Sequence, residues 1–121
     1  MKQENIILEK SFDFSVRIVN LYKYLSNQQK EYILSKQLLR SGTSIGANIN
    51  EAQAGQSKKD FISKMSIASK EARETRYWIE LLVATKFLNA KDGHVQSILL
   101  DIDEIIKLLT SIIKSTKTGN E

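Results

Sequence analysis

The chain contains no proline, and this absence constrains its fold more than any other feature of the sequence. Sheet proteins mark many of their turns with proline and glycine, and this chain of 121 residues has only five glycines. Because proline also breaks helices, a chain without it can form long helices joined by short turns. Apolar residues recur at spacings of three, four and seven, the period of a helix with one buried face. The sequence therefore predicts an all-α protein.

Four amphipathic helices account for the apolar pattern. The predicted helices span residues 9–25, 27–54, 58–87 and 93–114, and the polar tail 115–121 is expected to fray. The first helix carries two adjacent apolar stripes: Phe12, Val19 and Tyr22, and Phe14, Ile18, Leu21 and Leu25. The last two helices carry one long stripe each: Phe61, Met65, Ala68, Ala72, Thr75, Ile79 and Leu82, and Val95, Ile98, Ile102, Ile105, Leu109 and Ile112. These four helices predict one domain, residues 1–121, folded as an antiparallel up-down-up-down four-helix bundle.

Capping residues set the predicted helix starts. Ser26 is followed three residues later by Gln29, a capping-box spacing that places the start of the second helix near residue 27. Ser57 and Asp60 repeat this spacing before the third helix. Asp92 is positioned to cap the fourth helix.

Composition and charge exclude several classes of protein. The chain has no apolar run of the roughly 20 residues that a membrane span requires, and its first residues lack the pattern of a secretion signal, so we expect a cytoplasmic protein. Zero cysteines exclude disulfides, thiolate metal sites and cysteine nucleophiles. The net charge of +4 permits an acidic partner without requiring one.

The residues needed for metal or acid–base chemistry are sparse. The one histidine, His94, follows Gly93 at a helix start and has no Glu-x-x-His partner of the kind that di-metal bundles use. Asp101 and Asp103 point to different faces of the fourth helix, and Glu104 adds to a surface that we expect to be solvated. We therefore expect no metal, no cofactor and no enzymatic activity.

The stretch RSGTSIGANINEAQAG, residues 40–55, contains three glycines, of which two lie within a predicted helix and the third directly follows it. A phosphate-binding P-loop would need a lysine directly after its last glycine, and Gly55 is followed by Gln56. Gly42 and Gly46 stand four residues apart on one side of the helix, and each costs about 1 kcal/mol relative to alanine. Close approach of a second helix backbone would offset this cost, so we expect a packing site here.

Ser44, Asn48 and Glu51 form a polar row beside the apolar face of the same helix. One interpretation is an exposed polar edge. The other is a partly buried network that fixes helix register or subunit contacts, because buried amides and carboxylates need hydrogen-bond partners. The sequence leaves both open.

These residues also carry a resemblance to a known family. Ser44-Ile45, Asn48-Ile49 and Glu51 fit the Ser-Ile-x-x-Asn-Ile-x-Glu signature of the bacterial four helix bundle proteins, also called 23S rRNA-intervening sequence proteins. The following block SKKDFISKMSIASKEARETRYWIELL is similar to the next helix of that family, with Phe61, Ala68 and Glu74 at characteristic places. The chain departs from one common form of the pattern at Asn50, Ala52 and Lys70-Glu71.

The resemblance covers roughly residues 12–88 and implies more than the fold. It implies an all-α bundle, a ring-like homopentamer around a central channel, and no known catalysis. Relatives are encoded within intervening sequences of ribosomal RNA. Similar bundles act as accessory subunits of diversity-generating retroelements, where they contact a reverse transcriptase and nucleic acid. A ribosomal or RNA-binding role is therefore expected.

The predicted third helix begins with a basic segment. Residues 57–76 hold six cations, Lys58, Lys59, Lys64, Lys70, Arg73 and Arg76, and three acids, Asp60, Glu71 and Glu74. Lys59, Lys70 and Arg73 lie opposite the apolar stripe with Tyr77 beside them, a pattern typical of phosphate contact. The alternative is a solvated face neutralised by the four-residue pairs Asp60–Lys64, Lys70–Glu74 and Arg76–Glu80.

Trp78 admits a core position or an interface with a neighbouring subunit. The interface reading keeps open a second functional hypothesis. In it, the bundle is a protein-binding scaffold, or the accessory subunit of an enzyme such as a reverse transcriptase, without direct nucleic-acid binding. Only the nucleic-acid hypothesis predicts affinity that falls steeply with salt.

Overall fold

The structure, a computed structural model, describes residues 2–119, with side chains from residue 5 onward. It contains four helices, α1 (Lys2–Asn27), α2 (Leu34–Ala52), α3 (Lys58–Ala84) and α4 (Gly93–Thr118), and no strand within the described range. Helix α1 packs against α2 and α4, and α3 packs against α2 and α4. The all-α prediction is confirmed, and the arrangement is consistent with a four-helix bundle. No helix in the described part of the chain is long and apolar enough to cross a membrane.

The core follows the predicted stripes of α3 and α4 closely. All six residues of the α4 stripe are buried, and in the α3 stripe only Phe61 remains partly exposed. Thr75 is the polar member of the α3 stripe, and its hydroxyl lies 2.9 Å from Ser41 Oγ and 2.7 Å from the carbonyl oxygen of Glu71. The buried hydroxyl therefore has hydrogen-bond partners, which removes most of the cost of placing it in the core.

The prediction for Phe12 is wrong. Its side chain is 69% exposed, whereas Phe14 is buried with Ile18 and Leu25. Two residues apart on a helix are separated by about 200°, so Phe12 and Phe14 cannot face the same core. Val19 lies at the margin of the buried face and is partly exposed.

The predicted boundary between the first two helices is also wrong. Helix α1 continues through Asn27, and Ser26 donates its hydroxyl hydrogen to the carbonyl oxygen of Tyr22 at 2.8 Å instead of capping a new helix. Lys30 has a left-handed backbone with φ of 56°, which ends the helical path. A short loop follows, and α2 begins at Leu34, seven residues later than predicted.

Glu31 caps α2 from within this loop. Its carboxylate accepts hydrogen bonds from the backbone N–H groups of Ile33 (3.1 Å), Leu34 (2.9 Å) and Ser35 (2.6 Å). The side chain is buried, and burial alone would raise its pKa, but the backbone donors and the Ser35 hydroxyl hold the pKa below its ordinary value. One carboxylate therefore satisfies three backbone donors that would otherwise lack partners.

The remaining helix ends agree with the predicted ones in two cases and differ from them in two. Ser57 accepts from the N–H of Asp60 at 3.0 Å and Asp92 accepts from the N–H of His94 at 2.8 Å, as predicted. Helix α3 ends at Ala84, three residues before the predicted end at residue 87. Lys86, just beyond the helix, has a left-handed backbone with φ of 73°. Helix α4 extends to Thr118 instead of fraying from 115, because Thr116 is buried and left-handed Gly119 closes the helix.

The two glycines of α2 face α1. A Cβ atom built on Gly42 would lie 2.8 Å from both Cγ1 and Cγ2 of Ile18, which is itself fully buried. A Cβ on Gly46 would lie 3.3 Å from the carbonyl oxygen of Ser11 and from Ser15 Oγ. The absent side chain at Gly42 therefore allows the close approach of the two helices.

Replacing Gly42 with alanine should destabilise the protein by about 2 kcal/mol, because Ile18 must move, although alanine favours the helix. In an Ile18→Ala background the same change should cost less than about 0.5 kcal/mol or become stabilising. Urea denaturation of the four members of this cycle measures the coupling. Gly46→Ala is the matched control and should cost less than Gly42→Ala. Equal stability of Gly42→Ala and the wild type would contradict the packing argument.

Glu31→Gln should lower stability by about 1–2 kcal/mol at neutral pH, because the charged acceptor of three backbone N–H groups is lost. The folded-state pKa is lowered, so this stabilisation is present above the unfolded pKa and disappears as the pH falls through the folded value. The difference between wild type and variant should therefore shrink in acid. Urea denaturation across the pH range measures it, with exposed Glu80→Gln as control. A difference independent of pH would contradict the capping role.

Candidate nucleic-acid interface

The polar row of α2 does not form a connected network within the protomer. Ser44 Oγ donates to the carbonyl oxygen of Arg40 at 2.6 Å, and Asn48 Nδ2 donates to the carbonyl oxygen of Ser44 at 2.8 Å. Glu51 is exposed and forms a salt bridge of 2.8 Å with Lys64 of α3. Ser44 and Asn48 are partly buried, while their signature neighbours Ile45 and Ile49 are fully buried. The row thus lies at the edge of the α2–α3 contact.

A charged cluster joins α2 to α3 beside this row. Arg40 forms salt bridges with Glu71 (3.2 Å) and with Glu74, and the indole N–H of Trp78 donates to Glu74 at 3.0 Å. The hydrogen bond to Glu74 raises the pKa of Arg40. The Trp78 hydrogen bond, followed by those from Arg40, holds the pKa of Glu74 below its ordinary value. Arg40 therefore links α2 to α3 through Glu71 and Glu74, and Trp78 donates to the Glu74 carboxylate from the same helix.

Trp78 and Tyr77 lie at the outer surface of the same region. Trp78 is partly buried, and its ring packs edge to face with Tyr77 at a centroid distance of 5.2 Å. Tyr77 itself is 57% exposed. Trp78 thus occupies neither a full core position nor a fully exposed one.

The predicted ion pairs within α3 do not form in the described structure. Three four-residue pairs are involved: Asp60–Lys64, Lys70–Glu74 and Arg76–Glu80. Partners on other helices take their place: Lys64 pairs with Glu51, Glu74 with Arg40, and Arg76 with Asp103 at 3.0 Å. Packing of α3 between α2 and α4 brings these opposite charges together across helices, so each of these charged side chains of α3 pairs with another helix and not with its own. The prediction of a self-neutralised helix face is therefore wrong.

The acids of α4 are similarly occupied. Asp101 pairs with Arg17 of α1 at 2.6 Å, and Glu104 pairs with Lys10 at 3.2 Å. Asp103 faces the other way, toward Arg76 of α3. These carboxylates connect α4 to its two neighbours, and no group of three metal-binding side chains occurs among the described residues.

Positively charged side chains line a groove between α3 and the end of α4. It has a volume of about 500 Å³ and is lined by Ser69, Arg73, Thr110, Ile113, Lys114, Lys117 and Thr118. Three of these side chains are positively charged, and no acidic side chain lines the groove. The hydroxyls of Ser69 and Thr110 add polar groups along its walls. The groove has the charge and the hydrogen-bonding groups that an anionic chain requires.

We define a basic face from the three cations that line this groove and from the exposed lysines that share their sides of α3 and α4 by helical periodicity. It comprises Lys59, Lys70 and Arg73 of α3 and Lys107, Lys114 and Lys117 of α4. Lys59, Lys70 and Arg73 share one side of α3, and Lys107 precedes Lys114 by two helical turns. None of the six forms a salt bridge with any residue in the described part of the chain.

The basic face includes only part of the site expected from the sequence. Lys64 forms a salt bridge with Glu51 of α2, and Arg76 forms one with Asp103 of α4. Neither cation is therefore free for the phosphate contact that the sequence predicts. Lys58 lies at the first residue of α3, and Tyr77 lies two turns beyond Lys70 on the same side. The lysines of α4 were missed because only the packing of α4 on α3 brings them beside Arg73. Their sequence signal is the spacing of seven between Lys107 and Lys114.

Comparison with known proteins agrees with the resemblance. The family model of the 23S rRNA-intervening sequence protein matches residues 3–111. The crystal structure of a protein of unknown function from the S23 ribosomal protein family of Bacteroides thetaiotaomicron VPI-5482 matches with a TM-score of 0.89. The two sequences are 57% identical, and the match covers 93% of this chain and 98% of the other. No curated protein matches the chain. The chain belongs to the 23S rRNA-intervening sequence protein family.

Proposed function

We propose that this protein is a non-catalytic, homo-oligomeric scaffold that binds the phosphate backbone of RNA through its basic face. The observation that carries the proposal is the separation of charge. Six cations share one face without a salt bridge to any described residue, while the acids of α4 are used in pairs between helices. Because the whole chain carries +4, the rest of the molecule is net negative. Such a molecule presents one strongly attractive side to a polyanion.

The shape of the groove supports backbone binding. Thr110, Lys114 and Lys117 follow one side of α4 over about 10 Å, and Arg73 stands across the groove. Phosphates of one strand repeat every ~3.4 Å along a duplex axis, so several can face this length. Lysine and arginine donate to phosphate oxygens without reading bases, which predicts binding with little sequence preference.

The same proposal includes the assembly. We infer that the helices run up-down-up-down with antiparallel neighbours, which is supported by the pairing of Lys10 with Glu104 and of Arg17 with Asp101. The family resemblance supports a ring-like homopentamer in the cytoplasm. Five copies of the basic face on one ring would strengthen the attraction for RNA through simultaneous contacts.

A second candidate function is a protein-binding scaffold, such as an accessory subunit of a reverse transcriptase. The exposed Tyr77 against the half-buried Trp78 favours it, because aromatic residues at a surface are typical centres of protein interfaces. In this case the basic face would not contribute to the affinity for the partner.

The triple variant Arg73→Glu, Lys114→Glu and Lys117→Glu should lose most of its affinity for single-stranded RNA, because attraction at the groove becomes repulsion. Fluorescence anisotropy over a salt series measures the affinity and its salt dependence. Each phosphate contact contributes about 0.7 to the slope of log affinity against log salt, so loss of three contacts should reduce the slope by about two.

The matched control is Lys36→Glu, Lys86→Glu and Lys91→Glu, which changes net charge equally at exposed positions away from the groove. This control should bind RNA with a slope close to that of the wild type. Equal losses in the two triple variants would show that only net charge matters and would contradict the basic face. Absence of RNA binding by the wild type would favour the protein-scaffold alternative.

Native mass spectrometry of the protein from its own host tests the assembly and its cargo together. We expect five times 13.8 kDa with additional mass that ribonuclease removes. The pentamer without ribonuclease-sensitive mass would turn the search toward a protein partner. A monomer would contradict the ring and the multiplied charge.

A further inference from the structure

The loop between α1 and α2 presents two consecutive apolar side chains to solvent. Tyr32 is 53% exposed and Ile33 is 75% exposed, whereas the next residue, Leu34, is partly buried against the core. Glu31 holds this loop in place, because its N–H donates to the carbonyl oxygen of Leu25 at 2.9 Å and its carboxylate caps α2. A fixed backbone therefore directs Tyr32 and Ile33 outward, where they contribute little to the core.

The loop between α3 and α4 lies at the same end of the bundle. Tyr24, in the last turn of α1, lines a cavity together with Leu88 and Asp92 of that loop. Tyr24 is itself 43% exposed and adds an aromatic ring to this end. Residues 28–33 and 85–92 therefore form one surface, which we call the two-loop end.

Exposed lysines surround the two-loop end. Five of them lie in the two loops or within one helical turn of them: Lys23, Lys30, Lys36, Lys86 and Lys91. None forms a salt bridge with a residue that the structure describes. The acids of this region are fewer: Glu31 is buried in its cap, Asp92 caps α4, and Glu80 lies one turn before the end of α3. The two-loop end thus combines a positive charge with an apolar tip.

We propose that the two-loop end docks on the surface of a membrane that contains anionic lipids. Ile33 enters the boundary between headgroups and acyl chains, and Tyr32 lies at the headgroup level, which suits an apolar ring with a hydroxyl. The lysines contact the anionic headgroups, and each one near such a surface strengthens binding about fivefold. Docking of this kind depends on both the apolar area inserted and the electrostatic attraction.

The apolar tip distinguishes the two-loop end from the basic face. Ile33 has no aromatic ring on which a base could stack, and a strand held through its phosphates would leave this side chain in water. A bilayer removes the isoleucine from water and attracts the lysines in the same contact. The combination of an exposed isoleucine with unpaired lysines therefore favours a lipid surface over a nucleic acid.

Membrane docking leaves the basic face accessible. Gly93 begins α4 beside the two-loop end, whereas Lys117 lines the cationic groove with Arg73 near the other end of α4. The two ends are separated by about 36 Å along the helix. Docking also requires no contact between copies of the chain. The proposal therefore rests neither on RNA binding nor on the assembly.

Co-sedimentation of the full chain with vesicles tests the docking. The wild type should bind vesicles of phosphatidylcholine and phosphatidylserine in equal parts, and vesicles of phosphatidylcholine alone at least tenfold more weakly. Ile33→Ser should weaken binding to the anionic vesicles about tenfold, because the apolar insertion is lost. Phe12→Ser is the matched control, since Phe12 is 69% exposed and lies about 22 Å from the end of α1. It should bind as the wild type does.

Two outcomes of this experiment would overturn the proposal. One is the absence of wild-type binding to the anionic vesicles. The other is equal binding by Ile33→Ser and the wild type. Because the vesicles contain no RNA, failure of the RNA-binding proposal would leave both readouts unchanged.

Charge exchange locates the electrostatic contact. The triple variant Lys36→Glu, Lys86→Glu and Lys91→Glu should lose vesicle binding and keep its affinity for RNA. The triple variant Arg73→Glu, Lys114→Glu and Lys117→Glu has the same net charge and should show the reverse. Equal losses of vesicle binding in the two variants would show that net charge alone matters and would overturn the proposed orientation.

A site-specific probe measures insertion directly, since the chain has no native cysteine. An environment-sensitive fluorophore attached to Ile33→Cys should brighten severalfold and shift to the blue when anionic vesicles are added, because it leaves water. The same fluorophore on Phe12→Cys should not change. An equal change at both positions, or none at position 33, would overturn insertion through the two-loop end.

Discussion

The close approach of α1 and α2 at Gly42 constrains the rest of the bundle. Ile18 occupies the space where any other residue would carry a Cβ, and both positions are buried. This contact fixes which side of α1 faces inward, and Phe14 and Leu25 follow on that side. The same rotation places Phe12 and Val16 on the outside. The exposure of these two side chains is thus a direct consequence of the buried contact, because opposite sides of a helix cannot both face the core.

The sequence predicts the buried positions well where a helix carries a single apolar stripe. The stripes of α3 and α4 are long and regular, so their buried positions could be read from spacing. The N-terminus of α1 offers two apolar stripes, and only packing against Gly42 decides between Phe12 and Phe14. The start of α2 was misplaced because Ser26 matches a capping pattern, whereas the real cap is Glu31, three residues before the helix. A carboxylate that reaches forward over a loop has no simple sequence signature.

The candidate site was less predictable, because its charges are sorted by tertiary contacts. Spacing along α3 suggested that Lys70 and Arg76 were neutralised by acids of the same helix. The structure instead assigns Glu74 to Arg40 and Asp103 to Arg76, so partners from α2 and α4 decide which cations remain available. Lys114 and Lys117 join Arg73 for the same reason. Helix periodicity gives the side of a helix on which a charge lies, but not the neighbour that it meets.

Interhelix ion pairs connect stability to the proposed function. Every acid of α4 within its helical span reaches a cation on α1 or α3, so these carboxylates hold the helices together in the first half of α4. The second half carries only lysines among its charged residues, and it lies along the basic segment of α3. In the first half of α4, opposite charges are therefore paired with neighbouring helices, and this stabilises the packing. In its second half, lysines without acidic residues beside them in the helix attract anions. Moving a single carboxylate from the first half of α4 to the second would weaken both the packing and the attraction for anions, because it would leave one cation unpaired and neutralise another.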